Sequence, residues 1–217
     1  MLYKTSKSQC VLIKIILSLF LALSMHKVAL ADVAGEIKTY IRNIKTIAVE
    51  FSQSDSHGTK SEGMLIIDKP YKFRCNYYEP FPLVIVGSNN YVSVYDYEME
   101  HLSRIKAEDN IFYFLLVNDI DFENKFEVLS AKTIDNNYVL KLKSNEVDKI
   151  SEISFDKNTK NIKQMKIYED NNTITLNFGP TEQIKNVSKS LFILQDPDIF
   201  GKPNRLSKKD LGKKFTN

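Results

Sequence analysis

Short segments of alternating apolar and polar residues follow one another along most of this chain, separated by turns. Val49 and Phe51 alternate with Glu50 and Ser52, and two-residue periodicity of this kind predicts a β-strand. Further segments begin near Gly63, Lys72, Leu83, Tyr91, His101, Phe126, Asn137, Ile150, Gln164, Thr173 and Leu191. The turns between them are short, which predicts antiparallel pairing because a parallel pair needs a longer crossover. The sequence therefore predicts one meandering, strongly curved sheet.

Two segments follow a helical pattern instead. Apolar residues recur at steps of three and four from Gly35 to Ile47, which predicts an amphipathic helix. The nearly continuous apolar segment Asn110–Val117 is consistent with a buried strand, but we favour a short helix capped by Asp109 or Asn110. Two helices are few for so wide a sheet. Its apolar face must therefore either close into a packed core or remain partly hollow and hold acyl chains.

Residues 1–31 have the three-part pattern of a secretory signal peptide. They contain four lysines and no acid, an apolar run at Ile15–Ser24, and small residues at Ala29 and Ala31. This pattern predicts cleavage between Ala31 and Asp32. The alternative, a membrane anchor, is disfavoured because the apolar run is shorter than the ~20 residues a spanning helix needs. We expect the remaining chain to be exported and soluble.

The rest of the chain divides into a domain at 32–200 and a basic C-terminal tail at 201–217. The tail holds six basic residues and one acid, Asp210, which is typical of a solvated segment or of attraction to an anionic surface. The chain as a whole carries a net charge of +3, and the lysines of the signal leave the body near neutral. That charge argues against a nucleic-acid binder, which needs a basic face.

Sequence motifs that carry catalytic chemistry are missing. Cys75 is the one cysteine beyond the signal, and His57 and His101 are the only histidines there. No metalloprotease, nucleophile-elbow or phosphate-loop motif occurs in the sequence. We therefore predict a protein that is not an enzyme and that has no cofactor and no metal site.

The most specific stretch is Asp68–Pro80, in which Lys-Pro precedes a strand containing Phe73-Arg74-Cys75. Phe51-Ser-Gln53 and Gly63 with an apolar strand come before it, and a strand ending in Tyr95-Asp96 follows. This order resembles the periplasmic outer-membrane lipoprotein carrier family, whose members show Phe-x-Gln, Gly with an apolar strand, Arg/Lys-Pro-x-x-Phe-Arg-Trp and Tyr-Asp. The resemblance is clear to Asp96 and looser to about Phe200. Cys75 replaces the family's Trp.

The resemblance implies an unclosed antiparallel β-barrel of about eleven strands, with a lid of short helices over the concave face. It implies a monomeric periplasmic chaperone that binds the acyl chains of lipoproteins. An inner-membrane ABC-type complex would release the lipoproteins to it, and an outer-membrane receptor would accept them. The alternatives are another exported module of the same fold that binds lipids or glycolipids or senses envelope stress, and an exported hydrolase.

Site residues are also implied by the resemblance. Arg74 matches the family's functionally important arginine, and we expect it to latch the lid by hydrogen bonds to backbone carbonyls. The expected lipid-binding residues are Phe51, Met64, Ile66, Val84, Val86, Val92, Val94, Ile111, Phe114 and Leu115.

Overall fold

A computed structural model describes residues 33–88, 91–107, 113–116, 125–185 and 187–210. The predicted signal peptide and its cleavage site lie outside the described residues, as do residues 211–217 of the predicted tail. The described strands are β1 (Thr46–Ser54), β2 (Lys60–Asp68), β3 (Lys72–Tyr77), β4 (Leu83–Gly87), β5 (Tyr91–Asp96), β6 (His101–Lys106), β7 (Phe126–Ile134), β8 (Asn137–Ser144), β9 (Ile150–Asp156), β10 (Ile162–Glu169), β11 (Asn172–Phe178) and β12 (Glu182–Gln183).

All of these strands belong to one antiparallel sheet. Their order is β6-β5-β4-β3-β2-β1-β11-β10-β9-β8-β7, and the short β12 pairs with β1. Strands β6 and β7 form the two edges and do not pair with each other, so the sheet is unclosed, as the family resemblance implies. Strand β1 lies in the middle, between an N-terminal half-sheet (β2–β6) and a C-terminal half-sheet (β7–β11).

The inner face of the sheet is the one that faces two helices, α1 (33–43) and α2 (Tyr113–Leu116). Helix α1 covers the C-terminal half-sheet, where the Tyr40 ring lies 5.6 Å from that of Tyr138 and 6.3 Å from that of Phe155. Ile37 and Ile41, one turn apart, are fully buried beside it. The three- and four-residue spacing thus produces the buried helix face that it predicts.

The first predicted helix differs from the observed one in extent. Helix α1 ends at residue 43, and Ile47 belongs to β1. From Ile47 onward the apolar residues alternate, and pairing of β1 with β2 and β11 overrides the helical spacing. In the second segment only Tyr113–Leu116 is described as helix, while Asp109, Asn110 and Val117 lie outside the described residues.

A C-terminal strap, residues 187–210, crosses the outer face of the N-terminal half-sheet. It contains a 3₁₀ helix (Lys189–Phe192), the short helix α3 (Pro197–Phe200) and a second 3₁₀ helix (Lys208–Asp210). The prediction of a strand near Leu191 is therefore wrong. This segment crosses the strands of the sheet and does not pair with any of them as a neighbouring strand. Phe192 and Leu194 are buried against the outer side chains of β2, β4 and β5. The first part of the predicted tail lies in the strap, and Leu206 packs on the same cluster.

In the part of the chain that the structure describes, none of the helices has the length and apolar character required to cross a membrane.

Candidate functional site

A cavity of about 310 Å³ lies on the inner face of the N-terminal half-sheet. Strands β1 to β6 and β11 form its walls, and Leu115 and Leu116 of α2 close one end. Val147 and Lys149, in the turn between β8 and β9, line it as well. Strands β5 and β8 are far apart in the strand order. The sheet must therefore curl strongly for both regions to face the same cavity.

The wall of the cavity is apolar because alternate residues of each strand point inward. In β3 these residues are Phe73, Cys75 and Tyr77, and the neighbouring β2 contributes Leu65 and Ile67. The Tyr77 hydroxyl donates a hydrogen bond of 2.8 Å to Gln53 Oε1, so this polar group is already satisfied. The wall therefore offers an interior suited to a hydrocarbon chain.

Two strand glycines let aromatic rings lie close to the cavity wall. Gly63 is opposite Phe51 in the pairing of β1 with β2, and Gly87 is opposite Phe73 in the pairing of β3 with β4. A Cβ atom at Gly63 would lie 2.5 Å from Phe51 Cζ, and one at Gly87 would lie 1.9 Å from Phe73 Cε1. Any larger residue would push these rings away from the strand and into the cavity.

Five of the predicted lipid-binding residues belong to the inner face. Phe51, Val92, Val94 and Leu115 line the cavity. Phe114 is fully buried beside it, with its ring 5.9 Å from that of Phe126, and so contributes to the inner core. Ile111 lies outside the described residues.

The other four predicted lining residues, Met64, Ile66, Val84 and Val86, face the opposite way. The structure places them in the outer cluster beneath the C-terminal strap. Strands β2 and β4 are apolar on both faces, and a one-residue error in assigning faces moves every side chain to the other side. The residues that reach the cavity from these strands are their neighbours Leu65, Ile67 and Ile85.

The register of strand pairing shows which side chains of these strands face inward. Phe51, Gly63 and Tyr77 are opposite one another across β1, β2 and β3. The face of Phe51 therefore continues to Leu65 in β2 and Cys75 in β3. Leu176 and Phe178 of β11 also line the cavity. Sequence analysis missed them because they are brought there only by the pairing of β11 with β1.

Arg74 lies on the outer face and not beside the helices of the inner face. Its Nη1 donates to the Leu191 carbonyl at 3.0 Å, its Nη2 to the Asn204 carbonyl, and its Nε to Asn76 Oδ1 at 3.3 Å. Burial lowers the pKa of its guanidinium. Arg74 makes the predicted type of bond, to several backbone carbonyls. The segment that it holds is the C-terminal strap, and the expected latch between Arg74 and the lid is not found among the described residues.

Lys69 is a cation that does bond to the backbone of an inner-face helix. Its Nζ donates to the carbonyl of Ile41 in α1 at 2.7 Å. Burial, together with the nearby charge of Lys45, lowers the pKa of Lys69 to about 8. The Tyr71 amide, two residues further on, donates to the Leu116 carbonyl of α2 at 2.9 Å. The turn between β2 and β3 thus holds both helices.

Cys75, the one cysteine beyond the predicted signal, is in an unfavourable environment for a nucleophile. Cys75 is buried, and burial raises the pKa of its thiol, which disfavours the reactive thiolate. His57 and His101 are both exposed. Among the described residues, no group of His, Cys, Asp and Glu side chains is arranged to hold a metal ion.

Comparisons with known proteins show which proteins the chain is similar to. An uncharacterised protein of Rickettsia prowazekii is 45% identical over 181 residues, covering 83% of this chain and 85% of that protein. An outer-membrane lipoprotein carrier protein of Francisella philomiragia is 24% identical over 195 residues, covering 85% and 94%. A LolA superfamily protein of Nitrosomonas europaea has a solved structure with a TM-score of 0.43 and 10% identity, covering 74% of this chain and 97% of that one. A TM-score this low supports no conclusion about the function of this chain.

A sequence profile decides the family. The profile described as "Outer membrane lipoprotein carrier protein LolA" matches residues 42–195, a range that includes every strand lining the cavity. The chain therefore belongs to the family of the outer membrane lipoprotein carrier protein LolA.

Proposed function

We propose that this protein is a periplasmic chaperone that carries lipoproteins from the inner membrane to a receptor in the outer membrane. Its acyl-binding site is the cavity on the inner face. The observation that carries this proposal is an almost entirely apolar cavity of about 310 Å³ inside an unclosed sheet. Family membership supports a carrier-type function in binding lipids or lipoproteins.

The energetics of acyl chains require such a carrier. Each methylene group removed from water contributes about 0.8 kcal/mol, so the chains of a lipoprotein do not leave a membrane for water unaided. An apolar cavity supplies the missing environment. Phe51, Val92, Val94 and Leu115 are the predicted residues that we propose to contact the chains, together with Leu65, Ile67 and Ile85 of the same wall.

The cavity must widen to accept cargo. Its volume is near the lower end of the roughly 300–1,000 Å³ typical of ligand pockets, which suits part of one lipid better than several chains. Strands β6 and β7 are not joined to each other, and α2 is held to the turn between β2 and β3 by the bond from the Tyr71 amide. Separation of α2 from the edge strands would enlarge the cavity without breaking the sheet.

The route of the carrier follows from the same proposal. The signal at residues 1–31 would direct export, with cleavage between Ala31 and Asp32, and the chaperone would act as a monomer without a cofactor. An ABC-type complex of the inner membrane would load it, and an outer-membrane receptor would unload it. Support comes from the relatives that are named outer-membrane lipoprotein carrier protein.

The test compares two substitutions to Trp on opposite faces of the sheet. Val94→Trp would fill the cavity, whereas Val139→Trp places the same ring on the outer face of β8, away from the cavity. Each protein is produced in its own host and purified. Bound lipid is then extracted with solvent and identified by mass spectrometry, and release of a lipoprotein from spheroplasts is measured in parallel.

We expect acylated cargo on the wild type and on Val139→Trp, and at least tenfold less on Val94→Trp. Release of lipoprotein from spheroplasts should fall in the same order. Equal cargo on both variants, or no acyl material on the wild type, would show that the cavity is not the acyl-binding site. Bound lipid without any release of lipoprotein would support lipid binding but contradict the carrier function.

A further inference from the structure

A single cation lies at the mouth of the cavity. Of the described residues that line it, Lys149 alone carries a charge. It lies with Val147 in the turn between β8 and β9, and Ile105 of the edge strand β6 lines the cavity as well. The Lys149 side chain is 46% exposed. Its aliphatic stem can therefore form part of the apolar wall while the ammonium group remains in contact with water.

Deeper in the cavity, the described residues offer a polar head group few hydrogen-bond partners. The Tyr77 hydroxyl is already bonded to Gln53, and the Cys75 thiol is at best a weak donor. Burying an unbonded carboxylate or phosphate costs several kcal/mol. A lipid that enters the cavity must therefore leave its head group at the mouth, beside Lys149.

The present partner of Lys149 is exchangeable. Its Nζ lies 2.6 Å from Glu169 Oε1, and the Glu169 side chain is 36% exposed. Ion pairs between exposed groups contribute little to stability, so an incoming anion replaces the carboxylate at small cost. The neighbouring acid Asp148 is paired with Lys143 at 2.8 Å, and so is occupied elsewhere.

We propose that Lys149 binds the acidic head group of an acyl ligand, either a fatty acid carboxylate or a lipid phosphate. The acyl chain would extend into the cavity, and Glu169 would be displaced from Lys149 when the ligand binds. This inference rests on the proposed acyl-binding cavity and adds to the lipoprotein cargo a second class of ligand, namely free lipids with an anionic head. Lys149 is then a residue that determines specificity for the head group.

The test measures binding of an acidic lipid and its neutral ester to the same set of proteins. The fluorescent fatty acid cis-parinaric acid and its methyl ester are titrated into the full chain at pH 7.5. The variants are Lys149→Met, which keeps the aliphatic stem, Lys149→Arg, which keeps the charge, and Glu169→Gln. The matched control is Lys166→Met, which removes a lysine paired with Glu152 at 3.7 Å on the outer face.

We expect Lys149→Met to weaken binding of the acid about fivefold, as for loss of a charge-assisted hydrogen bond near the surface, and to leave binding of the ester unchanged. Lys149→Arg should retain acid binding, and Glu169→Gln should strengthen it because the competing carboxylate is gone. The Lys166→Met control should match the wild type with both probes. Displacement of the probe by oleoyl lysophosphatidic acid, but not by oleic acid, would assign the site to phosphates, and the reverse to carboxylates.

Equal binding of the acid by the wild type and Lys149→Met would overturn the inference, and so would an equal loss for acid and ester. A weaker affinity of Glu169→Gln for the acid would overturn it as well. Failure of the proposed function is distinguishable, since the wild type would then bind neither the acid nor the ester.

Discussion

The two halves of the sheet are packed on opposite faces. The C-terminal half-sheet is packed on its inner face, where Tyr40 of α1 meets Tyr138 and Phe155. Its outer face is polar, with Lys166 beside Glu152 at 3.7 Å. The N-terminal half-sheet is packed on its outer face by the C-terminal strap, and its inner face borders the cavity.

Strand β4 shows how this difference in packing affects the burial of single residues. Val84 and Val86, on the outer face, are buried, whereas the inward-facing Ile85 is only partly buried and lines the cavity. A half-sheet that gains its packing from the outside does not need a filled interior to remain folded. The strap therefore makes a hollow interior compatible with a stable protein.

The strongest test of this difference is a matched pair of isoleucine truncations. Ile153 of β9 is 1% exposed and belongs to the inner core, so Ile153→Ala should lower the free energy of unfolding by about 3–4 kcal/mol. Ile85→Ala removes a side chain that already faces a cavity, and the loss should be about 1 kcal/mol. Urea denaturation followed by circular dichroism measures both values. Similar losses would mean that the cavity side is as well packed as the other half.

A second pair of substitutions tests the support given by the strap. Arg74→Met removes the bonds to the Leu191 and Asn204 carbonyls, and should cost about 2–3 kcal/mol of stability. Arg104 also reaches a strap carbonyl, that of Leu194, but at 3.5 Å and from an exposed side chain. Arg104→Met should therefore change stability by less than about 0.5 kcal/mol.

Limited proteolysis provides an independent readout for the same pair. Cleavage within the strap should become faster in Arg74→Met and remain as in the wild type for Arg104→Met. Unchanged cleavage and stability in Arg74→Met would show that the strap is held by its apolar contacts alone.

The smallest expected effect concerns Lys69. This residue follows β2 of the N-terminal half-sheet and bonds to α1, the helix that covers the C-terminal half-sheet. Its pKa is lowered to about 8 in the folded protein from an unfolded value near 10.5. The unfolded chain thus binds more protons between these values, and stability gains a contribution that increases as pH rises from about 8 to 10.5. Because Lys69 is partly exposed, this gain should be on the order of 1 kcal/mol.

Comparison of the wild type with Lys69→Met isolates this contribution. Burial raises the pKa values of Cys75 and Tyr77, and these groups reduce stability at high pH in both proteins. Denaturation with urea is measured at several pH values. The free energy of unfolding of the wild type should increase relative to that of Lys69→Met as pH increases. Parallel plots of the free energy of unfolding against pH for the two proteins would show that titration of Lys69 does not affect stability.

The extent to which the site was predictable differs between strands. In β3, polar and apolar residues alternate, and the sequence correctly separates Arg74 from Phe73 and Cys75. In β2, Met64 and Leu65 are both apolar, and the predicted face is wrong. Alternation identifies the buried face only when the other face is polar, and here the strap buries the second face as well.

The sequence by itself determined an antiparallel meander, an amphipathic first helix and a family resemblance centred on Asp68–Pro80. These features depend on neighbours in the chain, through periodicity and short turns. The tertiary structure alone decided which residues line the cavity and what Arg74 holds. The contact between Arg74 and Leu191 spans 117 residues, and no local pattern specifies contacts between segments so far apart because they form only when the sheet and the strap are packed together.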